Sequence, residues 1–156
     1  MGKIRCNWVS NDELYIKYHD EEWGKPVYDD KVLFEFLVLE SFQAGLSWIT
    51  ILKKRENFRK DFDKFNDKKI VKYNDGKIEE LMQNEGIIRH RGKIEATINN
   101  ARVFQEIQKE FGSFSEYLWN YVNGKPIDNK LKSIKDAVAK TEISDTLVKD
   151  LKKTWF

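Results

Sequence analysis

Between Asp30 and Phe62 the chain carries its most apolar run, LFEFLVLESFQAGLSWITILKK, whose spacing predicts two helices joined by a turn. Leu33, Phe36 and Leu37 share one helical face, and the next position on that face is Glu40. A helix that buries the three apolar residues buries Glu40 with them, and a carboxylate there is costly unless it is paired or has work to do. Glu35 follows Lys31 at i+4 and reads as an ordinary surface pair. Gly45 ends the first helix and Ser47 caps a second one from Trp48, so Glu40, Leu46 and Trp48 meet at one corner. A buried acid beside a large aromatic suggests a pocket. The plainer alternative is that Glu40 bonds a neighbouring backbone group or Arg and only holds the core together.

The same reading extends to the flanks. Asp12 or Asn11 caps a short helix, ELYIKYHDEEW, with Tyr15, Tyr18 and His19 on one face, ended by Gly24 and Pro26. The helix from Trp48 has an apolar side, with Arg55 on it, and a basic exterior of Lys53, Lys54, Arg59 and Lys60. Asp67 caps a short helix through Tyr73, and Asp75 caps another that carries Ile78, Leu81 and Met82. That helix reaches Gly86, and a new one, with Ile94, Ile98 and Ala101, begins within about a turn. Arg89, His90, Arg91, Gly92 and Lys93 lie between them, where free backbone N–H groups at a helix start suit a phosphate. Gly112 ends this long helix, Ser113 or Ser115 caps the next, and Asn123 to Pro126 form a turn. Lys130 to Lys140 is polar and partly helical at most, and Ser144 or Asp145 caps a last helix with Leu147, Val148 and Leu151. The expected class is all-α.

Composition agrees. Charged residues make up 35% of 156, with only 2 prolines, which favours helices over turn-rich sheet. The net charge of +2 neither demands nor excludes a nucleic-acid partner. A single cysteine, Cys6, rules out an intrachain disulfide and fits a reducing compartment. The N-terminus has no signal-peptide pattern and no apolar run is long enough to span a membrane, so a cytoplasmic protein is expected. Trp8, Tyr15, Tyr18 and Trp23 crowd the first segment; such aromatics commonly pack a small lobe, and they also make stacking surfaces for a planar ligand. Cys6 and His19 form a metal half-site by residue type, although a buried free thiol and a satisfied imidazole are the commoner case.

Four segments carry a resemblance: Cys6-x-Trp8, YHDEEWG from Tyr18, LESFQAGLSWITILKKRENF from Leu39 and EGIIRHRGKIEA from Glu85. They resemble the DNA-3-methyladenine glycosylase I family of the helix-hairpin-helix superfamily, a likeness that runs through Lys153, nearly the whole chain. The resemblance implies a helix-hairpin-helix glycosylase fold, a single domain of two lobes with residues 1–26 and the C-terminal part beside a 27–122 core. It implies that Glu40 recognises a flipped 3-methyladenine, with Tyr18 and Trp48 on or beside the base and Trp8, Tyr15 and Trp23 completing the aromatic wall. Gly86, Arg89, Arg91, Gly92 and Lys93 would grip the DNA backbone, and Leu46 would fill the gap left by the base.

The implied partners are double-stranded alkylated DNA and the free base as product, handled by a monomer that hydrolyses the glycosidic bond without lyase chemistry. No counterpart is expected for the superfamily's catalytic Asp; the segment after the hairpin offers Glu95 and Asn99–Asn100. Cys6 and His19 match two ligands of the family's structural zinc. The family's sequence continues past Leu151-Lys152-Lys153 to a His and a Cys that complete the site, whereas this chain reads LKKTWF. Weak or absent zinc is the expectation. The competing reading is a truncated, inactive helix-hairpin-helix remnant that only binds DNA.

Overall fold

The protein is described over residues 2–153 in a computed structural model, and among these residues every regular element is helical. The central strut is α6, Arg91–Phe111, which begins at the N-cap His90 and ends at Gly112, whose φ of +91° favours glycine. Around it pack α2 (Asp30–Gln43), α4 (Asp67–Ile70), α5 (Asp75–Met82) and α7 (Phe114–Trp119). The long α3, Trp48–Asp61, lies on α2 and receives the N-terminal α1, Glu13–Glu21, on its other side. The final α8, Glu142–Lys153, rests on the 3-10 turn Asn120–Val122.

The core is aromatic. Phe34, Phe42, Phe58, Phe62, Phe65, Phe104 and Phe114 are all fully buried, with Leu39, Ile51, Ile70, Leu81 and Ile94 between them. Asp30 ties α2 to α7: its carboxylate accepts from the backbone N–H of Phe114 at 2.9 Å and of Ser115 at 2.7 Å, and from Gln108 Nε2 at 2.8 Å. That arrangement satisfies donors a helix start cannot satisfy by itself.

Several sequence expectations change. The core face of α2 is Phe34, Val38, Leu39 and Phe42, not the Leu33–Phe36–Glu40 stripe. Apolar residues surround most of this helix, so spacing alone did not decide which side meets α3 and α6. Glu35 is not a surface partner of Lys31. Its Oε1 accepts from Arg55 Nε and from Arg59 Nε, each at 2.8 Å, with only 12% of its side chain exposed. The caps of α4 and α5 are Asn66 and Asn74, one residue before the acids expected there. The last helix starts earlier than expected, where Thr141 and Ser144 exchange hydrogen bonds between side chain and backbone. From Lys130 to Lys140 only the turn Ile134–Asp136 is helical in type.

No helix among the described residues is long and apolar enough to cross a membrane.

Candidate functional site

The Leu33–Phe36–Glu40 side of α2 lines a cleft of about 400 Å³, with Leu33 and Leu37 also packed against the core. Leu33, Phe36 and Glu40 form its floor, Tyr18, Glu22 and Trp23 come from the end of α1, and Trp119 and Pro126 close it from far along the chain. Trp119 is anchored by its indole N–H, which donates to the carbonyl of Val27 at 2.7 Å. The α2–α3 turn works as expected: Gly45, at a φ of +80°, reverses the chain, and α3 starts after Ser47. The Ser47 hydroxyl, however, bonds the Thr50 hydroxyl at 2.7 Å rather than the helix start.

Glu40 is exposed, not buried, because the cleft admits solvent to it. Protein still surrounds it closely enough that desolvation raises its carboxyl above the ordinary glutamate value. Burial likewise raises the Tyr18 phenol, and the negative charges of Glu40 and then Glu22 push it further. Tyr18 therefore stands in the field of both acids. Its ring packs on Trp48 at 5.5 Å between centroids, and the Trp48 indole N–H is buried with no hydrogen-bond partner among the described residues.

Behind this wall, Trp8 contacts Tyr15 at 5.1 Å, Tyr18 at 6.5 Å, His19 at 5.3 Å and Trp23 at 5.4 Å. Of the expected aromatic wall, Trp23 lines the cleft, while Trp8 and Tyr15 are not among its lining residues and brace it from behind. The arrangement suits a flat cation: carboxylate charge on one side and aromatic faces around it. Sequence reading did not single out Glu22, Phe36 or Trp119 for this site. Glu22 lies inside a quoted motif, but nothing local distinguishes it from Glu21; Trp119 reaches the cleft only through the fold.

At the α2–α3 corner, Leu46 is an exposed leucine held on a turn whose carbonyl accepts from Gln43 Nε2 at 2.8 Å. Beside it lies the turn between α5 and α6. Ile87 is buried and fixes this turn, while Gly86 sits so close to Asn84 and Asn57 that a Cβ there would approach them at 3.0 and 3.1 Å. The five residues expected to grip DNA here are not equivalent. Arg89 is exposed and makes no hydrogen bond or ion pair among the described residues. Arg91 is exposed but bonded to Glu79, with Glu95 at 3.8 Å. Lys93 is engaged within the chain: its ammonium donates to the carbonyls of Phe42 at 2.9 Å and Ala44 at 2.7 Å. It satisfies carbonyl groups at the end of α2 and carries positive charge where the helix dipole favours it. His90 caps α6 by accepting from the Lys93 N–H at 3.1 Å.

Cys6 and His19 do come together. The His19 Nδ1 meets Asp20 Oδ1 at 3.0 Å, and Nε2 faces the Cys6 N–H at 3.4 Å. A carboxylate behind one imidazole nitrogen is the usual support for a metal-binding histidine. Arg5 forks onto the same Asp20, at 3.0 and 2.7 Å, and holds its carboxyl well below the usual range. No group of three or more His, Cys, Asp or Glu suited to a metal is present among the described residues. Two donors do not make a four-ligand structural zinc site. Elemental analysis of the 156-residue chain after dialysis is therefore expected to find well under one zinc per chain; one tightly held zinc would reveal a ligand set other than this one.

Fold and cleft together define an all-helical protein with an aromatic-walled cleft lined by Glu22 and Glu40. Residues 8–156 match the methyladenine glycosylase family, and the chain belongs to it. It is 49% identical over 152 residues to a DNA-3-methyladenine glycosylase of Haemophilus influenzae, covering 97% of this chain and 82% of that protein. A crystal structure of 3-methyladenine DNA glycosylase I matches with a TM-score of 0.94 at 48% identity, over 98% of this chain and 84% of the other. A structure addressing 3-methyladenine recognition by the Staphylococcus aureus enzyme matches with a TM-score of 0.93 at 42% identity, over 97% and 81%.

Proposed function

We infer that this chain is a DNA-3-methyladenine glycosylase that binds alkylated duplex DNA, turns the damaged base out of the stack and hydrolyses its glycosidic bond. The observation that carries the reading is Glu40, half enclosed in an aromatic cleft with Tyr18 in its field. Methylation at N3 makes adenine a cation and weakens its bond to the sugar, so the base is already a good leaving group. Glu40 attracts that cation and accepts from its N–H groups, while Tyr18, Trp23 and Trp119 offer π faces to it. Stabilising the charges as they separate then suffices for water to complete the reaction. Glu95, the acid nearest the expected place of a catalytic Asp, is exposed beside Arg91 and does not line the cleft.

Incubation with methylated duplex DNA tests the reading directly. Free 3-methyladenine should appear while the strand stays intact at the resulting abasic site. An intact, folded chain that binds this DNA but releases nothing would instead be a DNA-binding remnant.

The hairpin has a separate expected behaviour. Replacing Arg89 with Ala should weaken binding to damaged and undamaged duplex alike and lower the salt slope by about 0.9 for one lost phosphate contact. Replacing Lys93 with Met should leave that slope unchanged, because its ammonium is spent on Phe42 and Ala44. Binding titrations across a salt series read both outcomes, and a slope that falls for K93M but not for R89A would reverse the two roles.

A further inference from the structure

A second carboxylate lines the cleft and has no part in the reading above. Glu22 is the residue that ends α1, where its N–H bonds the Tyr18 carbonyl at 2.9 Å and its side chain turns into the cleft wall. One of its oxygens, Oε2, accepts from Arg55 Nη1 at 2.8 Å, and the other has no hydrogen bond among the described residues. The side chain keeps 33% of its exposure, whereas Arg55 keeps only 10%.

Arg55 is a fixed cation. Its Nε donates to Glu35 at 2.8 Å, and its guanidinium lies 5.2 Å from the ring of Phe36, which lines the same cleft. Burial alone would lower its pKa, but the hydrogen bonds it donates to Glu22 and Glu35 outweigh that and raise it. It stays charged and holds Glu22 in one orientation.

The charge balance gives this geometry a function. A buried guanidinium behind a pocket that receives a cation would repel it. Glu22 sets a carboxylate between Arg55 and the cleft, whereas Glu35 is shared by Arg55 and Arg59 and does not line it. The other charged lining residues are Glu40 and Lys25.

We propose that Glu22, oriented by Arg55, is a specificity-determining residue that makes the cleft favour a positively charged base over a neutral one of the same shape. This rests on the glycosylase reading of the cleft. Glu40 would bond the base, and Glu22 would act on its charge across the pocket. Such a contribution acts on charge and not on shape, which separates it from a merely structural ion pair.

The test compares two ligands in mildly alkaline buffer: free 3-methyladenine, which is neutral there, and an N3,N9-dimethylated adeninium, which is permanently cationic. Binding is measured by NMR titration of the intact chain, with thermal melting as the check on folding. Glu22→Gln should lose about five- to tenfold in affinity for the cation and less than twofold for the neutral base. Glu35→Gln removes the other arm of Arg55 without touching the lining, so it should lower the melting temperature yet keep the ratio of the two affinities within about twofold of the parent. Equal losses for both ligands in E22Q, no loss in E22Q, or an equal change of ratio in E35Q would each overturn the assignment. A parent chain that binds neither ligand would overturn the glycosylase reading itself and this assignment with it.

Discussion

Glu40→Gln is expected to slow release of 3-methyladenine from methylated duplex by roughly 10- to 100-fold, since a hydrogen bond to a charged partner contributes about 1.5–3 kcal/mol. The fold should survive, because Glu40 has no hydrogen-bond partner among the described residues and lines the cleft. Its stability should even improve slightly at neutral pH. The folded state raises the Glu40 carboxyl pKa, so folding favours its protonated form. That contribution is fully present below the ordinary glutamate value and is lost as pH rises through the raised one. A neutral Gln escapes the loss. Melting curves in acid should therefore coincide for the two proteins, and at neutral pH the variant should melt at the same or a higher temperature. A variant that keeps full release activity would remove Glu40 from the site; one that fails to fold would make it part of the core after all.

Arg55→Met should produce a large loss of stability. It strips a buried cation from Glu22 and Glu35 and leaves the mostly buried Glu35 with Arg59 as its remaining partner. Breaking a buried ion cluster from one side costs about 3–5 kcal/mol, a large share of the roughly 5–15 kcal/mol that holds a domain of this size together. Chemical denaturation should show a midpoint shift of that order with little change in slope. Removing Glu35 as well, as Arg55→Met with Glu35→Met, should cost clearly less than the two single losses added, because no unpaired carboxylate then remains at that position. Simple additivity would mean that the pair does not interact across the helices as the 2.8 Å contact implies.

Much of this was legible in the residues. Gly45 followed by Ser47 marks the turn between α2 and α3, since a left-handed φ and an N-cap preference are local properties. The α5–α6 turn followed from Ile87, Gly92 and the helical spacing on each side; of the expected base-binding residues, Glu40 and Tyr18 line the cleft, and Trp48 packs on Tyr18 without lining it. What failed did so for definite reasons. Glu35 and Lys31 stand at a favourable helical spacing, yet two arginines from α3 offer Glu35 a less hydrated and more direct pairing. The bonds that Lys93 makes were not legible either, because the carbonyls it meets belong to residues about fifty positions earlier.

The sequence by itself determined the helical class and most element boundaries within a few residues, because capping and periodicity depend on near neighbours. Only the tertiary structure decided which face of α2 becomes core and which becomes cleft. That helix is apolar nearly all round, so its orientation depends on where α3 and α6 press against it and where α1 and Trp119 leave a gap. The same long-range packing decides which charges neutralise one another, and so separates Glu40, open to a ligand, from Glu35, already bound by two arginines.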